Sequence, residues 1–430
     1  MRICMFTNTY LPHVGGVARS VAILARDLKK NGHDLLIIAP EFANARDNET
    51  DHQVVRLPAI QNFNGSDFSV RVPVPFILQE ALSKFEPDII HSHHPFLLGD
   101  SALRTARKYH LPIVFTHHTL YEQYTHYVSL DSHVMKRFVV ELTITYANMC
   151  DRIIAPSRSV ADLIISRGVK RPVIEIPTGV DIEFFKKGDG QAFRRAAGIP
   201  EDAFVFGHLG RLAPEKNLNY LSRAISRCLK ADKNARFLVV GDGPSKGDMK
   251  AIFEKDNVLS RVIFAGKKSG NDLRNAYKAM NLFVFTSKSE TQGMVLAEAM
   301  AAGLPVAALD ASGAREVVAE GKNGRLLPKN AAWEDYARAV TTLASSPDTM
   351  AAYAKEALNT AEGFSRNTCV KRVIELYKNT IHNYPVDMDK DRIDIISWEH
   401  FLSRINTEWE LLSQKTRAIV DAVVADKPQP

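Results

Sequence analysis

Two cations and two carboxylates have the types and spacing to handle a phosphorylated sugar. Arg211 and Lys216 stand five residues apart in "GHLGRLAPEKN", Gly207 to Asn217. Glu290 and Glu298 stand eight apart in "SKSETQGMVLAEAMAAGLPV", Ser287 to Val306. The cations suit a diphosphate. The free N–H groups of a helix that starts near Gly293 attract phosphate oxygens. Carboxylates beside that helix start accept hydrogen bonds from paired hydroxyls, Glu290 from a sugar and Glu298 from a ribose. The bland alternatives are a solvated basic loop and two acids flanking a helix start, where acids are favoured in any case.

A second stretch, "THHTLYEQYTHY" (Thr116 to Tyr127), crowds histidines and tyrosines just past the apolar run "LPIVF". It could be a metal site, an acid/base site, a pocket wall or a hydrogen-bonded patch. With "HSHH" (His91, His93, His94), the histidines His117, His118 and His126 could bind zinc. Neither an H-x3-H on a helix nor a cysteine partner supports that. "GDGPSKG" after "RFLVV" mimics a dinucleotide fingerprint, but its glycine spacing fails and Pro244 follows the second glycine. "DMD" at 387–389 imitates a metal-binding D-x-D, in a segment that reads as a solvated turn.

The elements that must position these residues alternate from the start. "RICMF", "DLLIIAP", "PDIIHSH", "LPIVFTHH" and "DRIIAPS" read as strands, with helical "GGVARSVAILARDLKKNGH", "GDSALRTARKYH" and "SRSVADLIISRG" among them. A second series follows. "AFVFGHLGR", "ARFLVVGDG", "VIFAG", "NLFVFTS" and "LPVAALD" are strands, and "NLNYLSRAISRCLKAD" and "GMVLAEAMAAG" are helices. Alternation of this kind predicts parallel sheets covered on both faces. The Pro-, Gly- and charge-rich "IEIPTGVDIEFFKKGDG" between the series is a hinge. The expected fold class is α/β, with two doubly wound domains and a ligand between them at the carboxyl ends of the strands. Past Pro385, Trp398, Phe401, Ile405, Trp409 and Leu412 form one apolar stripe at helical spacing, which predicts a helical extension packed on its own protein or, alternatively, on a membrane or partner surface, an excess of acids arguing against anionic lipid.

Bulk composition bounds the rest. The 430 residues exceed one ordinary domain. No run of about 18 apolar residues occurs, so nothing is expected to span a bilayer. The N-terminus reads as a first strand and not a signal peptide. Four scattered cysteines without a CxxC point to a reducing compartment. A net charge of +6 mildly favours anionic partners.

The combined motif order resembles the retaining glycosyltransferases of family four, with GT-B architecture. The motifs are "GGVARSV", "PTGVD" (Pro177 to Asp181), "GRLAPEKN", "VGDGP" and E-x7-E followed by A-x-G-x-P-V, spanning Met1 to roughly Tyr384. The resemblance implies domains at 1–182 (acceptor), 183–365 (nucleotide sugar), a helix at 366–385 crossing back, and an extension at 386–430. It implies that Gly15, Gly16, Arg211, Lys216, Gly266, Glu290, Thr291, Gln292, Gly293, Met294, Val295 and Glu298 bind the donor, with Gly16, Arg211 and Lys216 at the diphosphate. His118, Arg211, Lys216 and Glu290 would be catalytic. His117, His118, Tyr121, Tyr124 and Tyr127 would meet the acceptor. Thr178 stands where Asn is common in the family, and T-Q-G replaces the frequent G-F-G at 291–293. Both "SETQG" and "HHTLYEQYTHY" resemble the diacylglycerol glucosyltransferases of that family. The expected activity is transfer of a hexose from a nucleotide sugar, UDP-linked, to a membrane lipid by same-face attack, with no metal and no cofactor. The implied location is cytoplasmic and peripheral on the inner face of the cell membrane, without nucleic acid and with self-association through the extension. Alternatives are a soluble or polysaccharide acceptor and a non-catalytic nucleotide-sugar-binding subunit.

Overall fold

In the computed structural model, residues 1–12, 15–42, 52–60, 70–71, 75–123, 133–288 and 290–385 are described. Tyr124, His126, Tyr127, the D-x-D at 387–389 and the whole of 386–430 with its apolar stripe lie outside the described residues. The strands are β1 (Arg2–Phe6), β2 (Asp34–Pro40), β3 (Gln53–Leu57), β4 (Ala59–Ile60), β5 (Val70–Arg71), β6 (Ile89–Ser92), β7 (Ile113–Thr116), β8 (Arg152–Ala155), β9 (Val173–Glu175), β10 (Val205–Leu209), β11 (Arg236–Val240), β12 (Val262–Gly266), β13 (Leu282–Phe285), β14 (Val306–Leu309) and β15 (Gly324–Leu327). The helices are α1 (Gly16–Lys30), α2 (Pro75–Phe85), α3 (Leu98–Lys108), α4 (His133–Met149), α5 (Arg158–Ser166), α6 (Ile182–Lys186), α7 (Gly190–Ala196), α8 (Leu218–Ala231), α9 (Lys246–Lys255), α10 (Gly270–Lys278), α11 (Met294–Ala301), α12 (Trp333–Ala344), α13 (Pro347–Gly363) and α14 (Arg366–His382).

Two parallel sheets result, in the orders β3-β2-β1-β6-β7-β8-β9 and β12-β11-β10-β13-β14-β15. Their strands are apolar at successive positions because both faces are covered. In β1, Ile3 and Met5 face one core and Cys4 and Phe6 the other. In β11, Leu238 and Val240 oppose Phe237 and Val239 in the same way. This alternation of side is the two-residue period of a strand. Chain direction across each sheet reverses beside β1/β6 and β10/β13, so each sheet offers a crevice outside the carboxyl ends of those strands.

The last of the described helices, α14, returns to the first sheet. Its Val370, Val373 and Leu376 are buried against Val21, Ala25 and Leu28 of α1. Each such side chain contributes about 2 kcal/mol when removed from water. At its start, Arg366 makes ion pairs with Asp27 of α1 and, at 3.1 Å, with Asp181 of the linking segment. Gly179 in that segment has to be glycine, because a Cβ there would come within 2.4 Å of the Arg366 Cα. Asp181 also caps α6, its carboxylate accepting from the Phe184 N–H at 3.1 Å. Among the described residues no helix is long and apolar enough to cross a membrane. All four cysteines are buried and free.

Candidate active site

The crevice of the second sheet is built from the loops after β10 and β13. A 3-10 turn, Pro214–Lys216, follows β10 and ends in Asn217, whose backbone is left-handed (φ 57°). The Asn217 side-chain amide donates to the Thr286 carbonyl at 3.3 Å, and the Thr286 hydroxyl donates back to the Asn217 carbonyl at 3.2 Å. The two loops are thereby tied together, and Lys216 meets Glu290 in a short ion pair. Burial pushes the Glu290 carboxyl up. The Lys216 ammonium and hydrogen bonds from Lys216 and Ser287 outweigh it and hold Glu290 below the usual carboxylate range. Arg211 is exposed at the head of the same loop.

Gly293 precedes α11 with φ 73°, and a Cβ on it would lie 2.6 Å from the Gly313 carbonyl oxygen. No side chain caps α11, and the Leu296 and Ala297 N–H groups already donate to the Gly293 carbonyl, so an anion at this helix start meets the Met294 and Val295 N–H groups. The Val295 side chain packs into the core. Four residues into α11, Glu298 is 1% exposed. It accepts from the Tyr277 hydroxyl at 2.8 Å and pairs with the Arg19 guanidinium at 2.6 Å. Burial raises its carboxyl, and Arg19 and Tyr277 only partly counter that.

The first sheet faces this crevice with the start of α1 and the ends of β6 and β7. Gly15 occupies the N-cap of α1 without a side-chain cap. A Cβ on Gly16 would meet nothing within 4 Å, so the protein's own packing does not demand glycine there. Several bonds join the two halves. The Ser157 hydroxyl donates to the Thr291 carbonyl at 2.6 Å. The Gln292 amide donates to the Thr178 carbonyl and accepts from the Thr178 N–H, both at 2.8 Å. Ser20 and Thr178 share a hydroxyl contact at 2.7 Å. Gln292, expected at the donor, thus has its amide engaged by the hinge peptide. Gly266 closes β12 at the sheet edge, separated from β10 by β11.

The histidines are brought together but mostly consumed by the fold. His91 lies between the Tyr377 hydroxyl (2.6 Å) and the Thr116 hydroxyl (2.7 Å). His94 accepts from the Asn8 N–H at 3.1 Å. His93 and His118 share one hydrogen bond of 3.0 Å. Both line a cavity of about 40 Å³ with Ser20, Thr178 and Arg366. Burial, then the neighbouring His117, pushes His118 down to about 3, so the ring is neutral near pH 7. His117 is buried with its ring edge against Phe115. Tyr121 begins a 3-10 turn and packs its ring on Phe96, centroids 5.1 Å apart. Among the described residues no three His, Cys, Asp or Glu side chains are arranged to hold a metal. Arg19 was not singled out from the sequence. It sits inside the quoted "GGVARSV", but an exposed arginine on an amphipathic helix carries no signal of a partner in another domain.

Two parallel α/β sheets facing across a crevice are the GT-B architecture. Residues 14–184 match Glycosyltransferase Family 4 and residues 189–360 match Glycosyl transferases group 1. An α-monoglucosyldiacylglycerol synthase of Streptococcus pneumoniae is 31% identical over 401 residues, covering 91% of this chain and 89% of that protein. A GDP-mannose-dependent α-mannosyltransferase of Mycobacterium tuberculosis is 30% identical over 334 residues, 76% of this chain and 84% of that one. The solved structure of Anabaena Alr3699/HepE with UDP superposes with a TM-score of 0.73 at 21% identity, covering 88% of this chain and all (100%) of that one. The chain belongs to the family 4 glycosyltransferases and is an enzyme of that kind.

Proposed function

We propose that this enzyme is a retaining glycosyltransferase that moves a hexose from a UDP-sugar, with UDP-glucose the first choice, to a membrane lipid such as diacylglycerol. The observation that carries the reading is the Lys216–Glu290 pair at the β10/β13 crevice, with α1 of the other domain reaching Glu298 of α11 through Arg19. Residues 183–365 hold the donor and residues 1–182 the acceptor. Lys216, Arg211 and the starts of α1 and α11 stabilise charge that grows on the leaving diphosphate. Glu290, kept ionised by Lys216, accepts from hydroxyls of the donor sugar. The buried Glu298 accepts from the ribose. A neutral His118 helps place the acceptor hydroxyl, and the leaving phosphate takes the proton of that hydroxyl. The enzyme works at the inner face of the cell membrane, and residues 386–430 serve self-association.

The Streptococcus pneumoniae relative supports the lipid acceptor by its name, and the UDP in the Anabaena structure supports the base. The Mycobacterium tuberculosis relative favours a second reading, GDP-mannose as donor. Radiolabelled UDP-glucose, UDP-galactose and GDP-mannose, each offered with diacylglycerol vesicles or soluble glycans, separate the readings once products are split by organic extraction. Label from UDP-glucose entering the organic phase is the expected result. Label transferred only to soluble glycans overturns the lipid acceptor, label only from GDP-mannose overturns the UDP donor, and no transfer with any pair overturns both the donor and the acceptor proposed.

A further inference from the structure

Glu298 is sealed by two donors. The Tyr277 phenol comes from its own domain and takes Oε2 at 2.8 Å; the Arg19 guanidinium comes from the opposite domain and takes Oε1 at 2.6 Å. The carboxylate is 1% exposed, whereas the Arg19 side chain is 44% exposed and so covers Glu298 from the solvent side. A guanidinium presents N–H donors in a planar fork, as a ribose presents two hydroxyl donors. Arg19 therefore sits where a diol recognised by Glu298 has to sit. It also stands one turn inside α1, whose first N–H groups have no side-chain cap and whose Gly16 opens on free space. An anion held there lies within reach of the same arginine.

We propose that Arg19 is a positioning residue of the donor site, held on Glu298 when no nucleotide is bound and transferred to the diphosphate when one arrives. The inference rests on the reading of Glu298 as the ribose acceptor. The exchange replaces one Arg–carboxylate pair with an Arg–phosphate pair and a carboxylate–diol contact, so Arg19 keeps an anionic partner while Glu298 keeps neutral donors only, the diol and the Tyr277 hydroxyl. A nucleoside without phosphates has to displace Arg19 and offers it nothing in return. The site is thereby selective for nucleoside diphosphates over nucleosides. Because the pair spans the two domains, donor binding also trades one contact across the crevice for another.

The test measures binding of uridine, UMP and UDP to the full chain by calorimetry and ligand-observed NMR, with guanosine, GMP and GDP in parallel. The proteins are the parent, Arg19→Met, Arg19→Lys and Glu298→Gln. Arg19→Met is expected to bind UDP about tenfold more weakly, as loss of a charge-assisted hydrogen bond implies. The same variant is expected to bind uridine more tightly than the parent. Arg19→Lys, which keeps the charge and loses the fork, is expected to fall between. Equal changes for uridine and UDP in Arg19→Met, or tighter UDP binding, overturn the proposal while leaving the ribose assignment standing. If Glu298→Gln changes neither uridine nor UDP binding in a folded protein, the ribose assignment itself fails and the proposal falls with it.

Discussion

A lysine and a glutamate in short contact make a testable pair. Replacing Lys216 with Met or Glu290 with Ala is expected to lower turnover about a hundredfold or more, the usual loss for a charge contact that acts in the transition state. Melting should stay cooperative, since both side chains lie in the crevice rather than a core. Near-parental turnover in a folded variant would remove the pair from the reaction. In the proposed mechanism Arg211 and Lys216 supply the positive charge that a leaving diphosphate needs, so turnover is expected to persist in EDTA. Loss in EDTA with recovery on adding a divalent ion refutes that. The placement of these residues after a strand and before a helix was legible in the sequence, because strand ends and helix starts are read locally. The contact of Gln292 with Thr178, 114 positions away, was not: only the folded chain brings the two together.

Strands and helices place these groups, and their seams set how the halves meet. Gln292 makes two hydrogen bonds to the backbone of one hinge residue, Thr178, each worth about 1 kcal/mol. Gln292→Ala is therefore expected to favour the open arrangement by roughly tenfold or more. The expected signature is a higher donor KM and more donor hydrolysis per transfer, read by product analysis; unchanged values of both show that the clamp is idle. Every strand quoted from the sequence is present, because a strand buried on both faces announces itself as an unbroken apolar run. The histidine cluster was visible as spacing alone. That His93 and His118 share a hydrogen bond follows from β6 lying beside β7, a fact of sheet order and not of sequence neighbourhood.

Across the whole molecule, buried histidines set the response to acid. Burial pushes His91 and His94 down to about 3 and His117 and His208 to about 4. The folded state holds these rings neutral, while the unfolded chain protonates them near pH 6.5. Their contribution is complete above about pH 6.5 and is lost as pH falls from there toward 3–4, at about 1.4 kcal/mol per pH unit for each ring. Chemical unfolding midpoints should be flat from pH 8 to 7 and fall steeply from 6.5 to 5. A flat profile down to pH 5 would show that the rings protonate in place without cost. The halves are linked twice, since the chain passes between them at Val180 and again at Ser365, and the two passes pair as a parallel bridge. Two adjacent pins favour swinging about one axis over free tumbling of one half against the other.

The return of α14 to the first sheet also orders events on the ribosome. The face of β1 and α1 that buries Ile3, Met5 and Val21 is completed by Cys369, Val370, Val373 and Tyr377. A nascent chain that has just emerged through residue 182 has all the strands of its first sheet and still lacks the part of their cover that α14 supplies. That lobe has to wait, apolar side exposed, until the second has been translated. A fragment of residues 1–182 made alone is expected to aggregate, and to be rescued by a peptide of residues 364–385 supplied in trans. A soluble, cooperatively melting 1–182 fragment would show that the lobe matures without waiting.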